Sequence, residues 1–69
     1  MDIQFERLEM LLSEGRIFLD PSFSLDFLCL HAGADKKDFD IYLMDNFGID
    51  LRRMVMLYVD EYFRQVLGF

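Results

Sequence analysis

The spacing of apolar residues along the chain predicts an all-α fold with four helices. Apolar side chains recur at intervals of three and four between residues 3 and 14, which indicates a first helix with one buried face. The residues on that face are Ile3, Phe5, Leu8, Leu11 and Leu12. Gly15 should end this helix. We therefore expect residues 3–14 to form a helix that supports the rest of the domain.

Residues 24–48 are predicted to form two short helices joined by a tight turn. Ser24 is a good cap for the first of them, whose apolar positions are Leu25, Leu28, Cys29 and Ala32. Gly33 should end it, because glycine takes the left-handed conformation of a helix end at little cost. Asp35 is placed to cap the second helix and Gly48 to end it. Its inward positions are predicted to be Phe39, Tyr42, Leu43 and Asn46 or Phe47. Such a pair forms a helix-turn-helix.

A last helix is predicted over residues 50–67, with Asp50 as its cap. Its inward face should comprise Leu51, Val55, Tyr58, Val59, Tyr62 and Val66. Further apolar residues widen the apolar arc beyond the stripe of about 100° that packing on one core requires. They either fold back onto the core or form a second surface for a twin subunit or another domain, and we favour the second surface. The predicted protein interface is Met54, Met56, Leu57, Phe63 and Leu67.

The connector between the first two helices is unusually apolar. Pro21 favours extended backbone at Asp20, and a free loop would not carry Ile17, Phe18 and Leu19 together. At least two of these three side chains should therefore pack against the core.

Composition points toward a partner. The chain has 69 residues, which suits one domain, yet 54% of them are hydrophobic, more than so small a monomer easily hides. Thirteen acids against seven bases give a net charge of −6, which disfavours nucleic acid unless the bases cluster on one face. A protein partner or a homodimer is therefore expected. One cysteine, no signal peptide and no membrane-spanning run predict a cytoplasmic protein without membrane contact.

The order of these elements resembles the first helix-turn-helix of the AraC-type transcriptional regulators. The matching residues are Ser24-Leu25, Leu28-Cys29, Ala32-Gly33, Phe39, Leu43 and Phe47-Gly48-Ile49. A weaker resemblance to the TetR-type regulators rests on Ala32-Gly33, Phe39 and Tyr42. AraC-type regulators bind DNA through two such motifs joined by a linker helix. The resemblance therefore implies a fragment of a regulator or a stand-alone descendant with a single motif.

The exposed side chains of the second motif helix decide whether the motif can bind DNA, because that helix enters the major groove in DNA-reading proteins. Lys36 and Lys37 suit phosphate or base contact, and Arg52 and Arg53 are expected to anchor the DNA backbone. The remaining side chains of this helix suit a protein-binding face better, because they are acidic or apolar. They are Asp38, Asp40, Ile41, Met44 and Asp45.

The sequence therefore predicts a helix-turn-helix DNA-binding-type domain of a transcriptional regulator. The alternative is an acidic helix-turn-helix module that mediates protein–protein interaction without reading DNA. Neither a phosphate-binding loop nor a nucleophile elbow is present, so no enzyme and no catalytic residue are expected. Cys29 is predicted to be a packing residue, and neither it nor His31 has companions at ligand spacing. No metal or cofactor is expected.

Overall fold

The computed structural model describes residues 1–68 and contains, in that range, four α-helices and no strand. The helices are α1 (Asp2–Ser13), α2 (Leu25–Ala32), α3 (Lys36–Phe47) and α4 (Leu51–Leu67). A short 3₁₀ helix, Ile17–Leu19, lies between the first two. The predicted all-α fold is confirmed, and α1 begins and ends one residue earlier than the predicted range.

Local capping groups set the ends of the helices. The Ser24 hydroxyl accepts a hydrogen bond from the Phe27 N–H at 3.0 Å, which satisfies a donor that has no partner inside α2. Gly33 closes α2 in the left-handed conformation with φ of 93°, and Gly48 closes α3 in the same way. Asp35 occupies the cap position of α3, although its side chain makes no capping hydrogen bond.

The core lies where the four helices meet, and α1 packs most extensively against α2. The largest fully buried side chains are Leu8, Leu12, Leu28, Phe39, Leu43 and Leu51. Met54 belongs to this core and is only 7% exposed, so its predicted place in an exposed interface is wrong. The reason is its position on α4, where it follows Leu51 by one turn and shares the inward face with that residue.

Several predicted inward residues lie near helix ends and are exposed. They are Ile3, Asn46, Phe47 and Val66. The buried residues of α4 all lie between Leu51 and Val55. A helix of 17 residues is about 25 Å long and one of 12 residues about 18 Å, so α4 extends past α1 and α3, the helices against which it packs. The sequence pattern overestimated burial at such ends, because it assumes a partner along the whole helix.

The connector packs against the C-terminal half of α4. Ile17 and Phe18 are half-buried against the core while Leu19 is exposed, which confirms that at least two of the three pack down. The ring of Phe18 meets the edge of Tyr62 at 5.7 Å between centroids. The Arg16 guanidinium lies over the same Tyr62 ring at 5.1 Å, and this cation–π contact helps to fasten the connector to α4.

Candidate binding surfaces

Asp40 joins α3 to α4. Its Oδ2 accepts a hydrogen bond from Lys36 Nζ at 2.7 Å, and its Oδ1 accepts one from the N–H of Leu51 at 2.8 Å. Both bonds favour the ionised carboxylate, so Lys36 first and the Leu51 N–H second hold the pKa of Asp40 below its usual value. The bond to Asp40 in turn raises the pKa of Lys36.

Two carboxylates therefore cap the N-terminus of α4. The first N–H groups of a helix have no partner within it. In α4, Asp50 accepts a hydrogen bond from the Arg53 N–H at 2.8 Å, and Asp40 accepts one from the Leu51 N–H. Asp40 is predicted from the sequence to belong to an acidic protein-binding face, but both of its carboxylate oxygens are engaged by groups of the domain itself. The four-residue spacing of Lys36 and Asp40 signalled their ion pair, but nothing local indicated the contact with Leu51.

Two of the predicted DNA contacts, Lys36 and Arg52, come near each other where α3 and α4 begin, and Lys37 and Arg53 are their neighbours along the chain. All four are exposed, and Arg52 lies close enough to Lys36 for its charge to oppose the protonation of that lysine. The corner comprises Lys36, Lys37, Arg52 and Arg53, and we call it the basic corner. Its charge is offset by Asp40 and by Asp50, which also acts on Lys36. The corner therefore presents cations without a large net positive charge.

The outer face of α3 is apolar and acidic. Ile41 and Met44 are exposed there, as are Asp38 and Asp45. A shallow depression of about 280 Å³ on this face is lined by Met1, Asp38, Ile41, Tyr42, Asp45 and Asn46. The neighbouring carboxylate of Asp35 raises the pKa of Asp38. Such a face has few of the donors that phosphates and base edges require.

A larger groove lies between α1, the end of α3 and α4, and we call it the α1–α4 groove. Its volume is about 530 Å³. The lining residues are Phe5, Glu9, Leu43, Phe47, Ile49, Met54, Leu57 and Tyr58. Leu43 and Met54 are buried beneath it, whereas Phe47 and Leu57 are 56% and 44% exposed. The Phe47 ring stacks on Phe5 at 5.6 Å, which holds it against α1.

One edge of the α1–α4 groove is acidic. Glu9 is the charged residue of the lining. The pKa of Tyr58 is raised, mainly by the burial of its hydroxyl and secondarily by the negative charge of Glu9. Asp2, Glu6 and Glu9 follow at spacings of four and three, so they lie along one side of α1. We call these three residues the acidic rim. On the α4 side, Arg53 precedes Leu57 by one turn and Arg64 pairs with Glu61 at 3.6 Å, so that edge carries mixed charge.

The predicted interface residues of α4 separate into three places. Met54 is in the core and Leu57 lines the α1–α4 groove. The other three lie on a different side of α4, where apolar residues follow at spacings of three and four. We call this set the α4 stripe; its residues are Met56, Val59, Phe63, Val66 and Leu67. Apart from the half-buried Val59, the stripe is exposed.

Cys29 and His31 lie apart from any metal-binding arrangement. Cys29 is a buried free thiol, and burial together with nearby carboxylates, Asp26 first, raises its pKa. His31 is exposed, and its ring lies 4.4 Å from that of Phe27. Within residues 1–68 no three side chains of the ligating types come together as a metal site would require.

Comparison of the chain with models of known families, with curated proteins and with solved structures finds no match. The resemblance to the AraC-type and TetR-type regulators therefore stays a prediction, as does a helix-turn-helix function for α2 and α3. Across the described residues, no helix combines the length and the apolar character needed to cross a membrane.

Proposed function

We propose that this chain is a small helical protein-interaction module that binds its partner through the α1–α4 groove. The observation that carries the proposal is an apolar concavity of about 530 Å³ in a chain of 69 residues. A rimmed apolar surface of this kind marks binding sites on small domains, because exposing it to water costs free energy that a partner recovers.

The shape of the groove suits a helix as the bound element. Its walls come from α1, α4 and the end of α3, and an amphipathic helix laid between α1 and α4 would place apolar side chains on Met54 and Tyr58. The exposed side chains Phe47 and Leu57 would then cover the sides of the bound helix. Aromatic and Met surfaces adapt to different apolar side chains, which favours peptide recognition.

Amide chemical shifts of the 15N-labelled protein test this function. The probes are three synthetic amphipathic helices with the same Leu face and Lys, Gln or Glu elsewhere, together with a generic DNA duplex. At least one helix should shift the amide signals of groove residues, and Leu57→Gln should weaken its binding. Met56→Gln is the matched control, because Met56 is 46% exposed but does not line the groove. The absence of any groove response to all three helices would contradict the function.

A second function, the DNA-binding-type domain of a transcriptional regulator, is favoured by one observation. Lys36 and Arg52 lie close together in the basic corner, and Lys37 and Arg53 make no ion pair among the described residues. These four cations would contact phosphates, and the resemblance to AraC-type regulators supports the same function.

Fluorescence anisotropy with a generic duplex at several salt concentrations tests the second function. Lys37→Glu should weaken binding to all sequences and reduce the salt slope by about one unit for each phosphate that is no longer neutralised. Lys36 is a poorer site for charge reversal, because its ion pair with Asp40 is structural. Arg64→Glu, outside the basic corner, is the control. Affinity unchanged by Lys37→Glu would remove this lysine from a DNA interface.

A further inference from the structure

We infer that the occupant of the α1–α4 groove is a basic amphipathic helix of another protein. This inference rests on the proposed function of the groove and specifies the chemistry of the partner. Its apolar face would enter the groove, and its Lys or Arg side chains would pair with the acidic rim.

Charge complementarity selects this partner. The chain carries a net charge of −6. Glu9 lines the groove, and the helical spacing places Asp2 and Glu6 on the same side of α1 as Glu9. Charges within a Debye length of about 8 Å act on a bound helix at physiological salt. A basic helix gains from these carboxylates, whereas an acidic helix or a second copy of this chain would place acids against acids.

The apolar lining explains why the partner must also be amphipathic. A basic segment without an apolar face would leave the side chains of Leu57 and Phe47 in water and would gain nothing from burying them. The exposed ring of Phe47 additionally offers its face to a guanidinium or ammonium group at the groove edge. Only a helix with an apolar face bordered by cations therefore binds both the apolar lining of the groove and the acidic rim.

The test uses fluorescein-labelled forms of the three synthetic helices with a Leu face, which we call Leu/Lys, Leu/Gln and Leu/Glu after their polar residue. Each has about 18 residues and is therefore about 27 Å long. Fluorescence anisotropy gives the Kd for each. The Leu/Lys helix should bind at least tenfold more tightly than the other two, and added salt should weaken it. Leu57→Gln should weaken this binding, while Met56→Gln should leave it unchanged.

Charge reversal distinguishes the acidic rim from the overall charge of the chain. Glu6→Lys with Glu9→Lys changes the net charge by four, from −6 to −2, and so does Asp26→Lys with Asp45→Lys. Only the first pair should raise the Kd of the Leu/Lys helix, by about three- to tenfold. Circular dichroism checks that each variant is folded. If the first pair is not, Glu6→Gln with Glu9→Gln replaces it, and Asp26→Asn with Asp45→Asn becomes the control of equal charge change.

The contrary outcomes overturn either the basic partner alone or both proposals. Equal binding of the Leu/Gln or Leu/Glu helix, or equal weakening by both charge-reversal pairs, would overturn the basic partner and leave the groove as a binding site. Failure of all three helices to respond to Leu57→Gln would overturn the groove function and this inference together.

Discussion

The backbone conformation at Gly33 and a nearby side chain both oppose the replacement of this glycine by a larger residue. Its φ is +93°, and a Cβ there would lie 3.1 Å from Nη1 of Arg7. Gly33→Val should lower the free energy of unfolding by about 1–3 kcal/mol, because a β-branched residue is strained at positive φ. Each kcal/mol should lower the Tm by roughly 4–8 °C.

Gly48→Val is the control for this substitution. Gly48 also has a positive φ, but no atom lies within 4 Å of a Cβ placed there. The decrease in Tm should be smaller than at Gly33. A Tm unchanged by Gly33→Val would contradict the left-handed turn between α2 and α3.

Asp40 should make stability depend on pH in a direction that follows from its lowered pKa. An unfolded Asp titrates near about 3.9, so the stabilisation from Asp40 is complete above that pH and is lost as pH falls toward the folded pKa. Asp40→Asn retains an oxygen acceptor for the Leu51 N–H but removes the charge. Urea unfolding between about pH 2 and 7 should show a weaker acid-induced loss of stability in this variant than in the wild type.

Asp40→Ala separates the capping role from the charge. It removes the acceptor as well, and the unpaired N–H of Leu51 should cost about 0.5–2 kcal/mol at neutral pH. The raised pKa of Asp38 acts in the opposite direction at acid pH, so each variant is compared with the wild type at the same pH. Wild-type acid sensitivity in Asp40→Asn would show that other carboxylates cause it.

At the scale of the element, the packing of α2 buries the Cys29 thiol and lowers its reactivity. The thiolate is the reactive form, and burial raises the pKa of this thiol and limits access to it. Alkylation by iodoacetamide at neutral pH should therefore be slow in the native protein and fast in concentrated urea. Equal rates in the two conditions would contradict the packing of Cys29 between α2 and the rest of the core.

The longest helix, α4, carries two separate apolar surfaces. Leu57 lines the α1–α4 groove, whereas Met56, the residue before it, belongs to the α4 stripe. Consecutive residues of a helix are about 100° apart, so two neighbours of similar exposure serve different surfaces. This arrangement allows one substitution on α4 to test each surface without disturbing the other.

At the scale of the whole molecule, we predict self-association through the α4 stripe. The stripe leaves Met56, Phe63, Val66 and Leu67 exposed, and a two-fold dimer would bury the same residues on both copies. At about 25 cal/mol per Å² the apolar gain amounts to several kcal/mol, from which the entropy cost of association is subtracted. The balance favours a dimer of weak to moderate affinity. Sedimentation at several protein concentrations measures it.

One substitution within the α4 stripe and one control outside it make the dimer prediction specific. Phe63→Glu should abolish association, while Leu57→Glu, outside the stripe, should leave it unchanged. Two copies of charge −6 repel each other, so added salt should strengthen the dimer, opposite to its effect on a basic helix in the groove. A mass of 8.3 kDa throughout the micromolar range would contradict the prediction.

The sequence by itself determined both ends of α2, the end of α3 and the start of α4. Capping by Ser24 and Asp50, and helix closure at Gly33 and Gly48, depend on groups within four residues along the chain. The central apolar positions, such as Leu28 and Phe39, were equally predictable, because helical spacing places them on one face. Interactions of this range require no knowledge of how the helices pack.

Only the tertiary structure decided which apolar residues are covered and what Asp40 does. Met54 and Met56 are both apolar members of a wide arc, and the position of α4 against α1 and α3 buries one of them and exposes the other. The partner of Asp40 lies eleven residues away on another helix. The α1–α4 groove combines residues from three helices and a loop, and its shape depends on helix placement, which the spacing of residues along one helix does not specify.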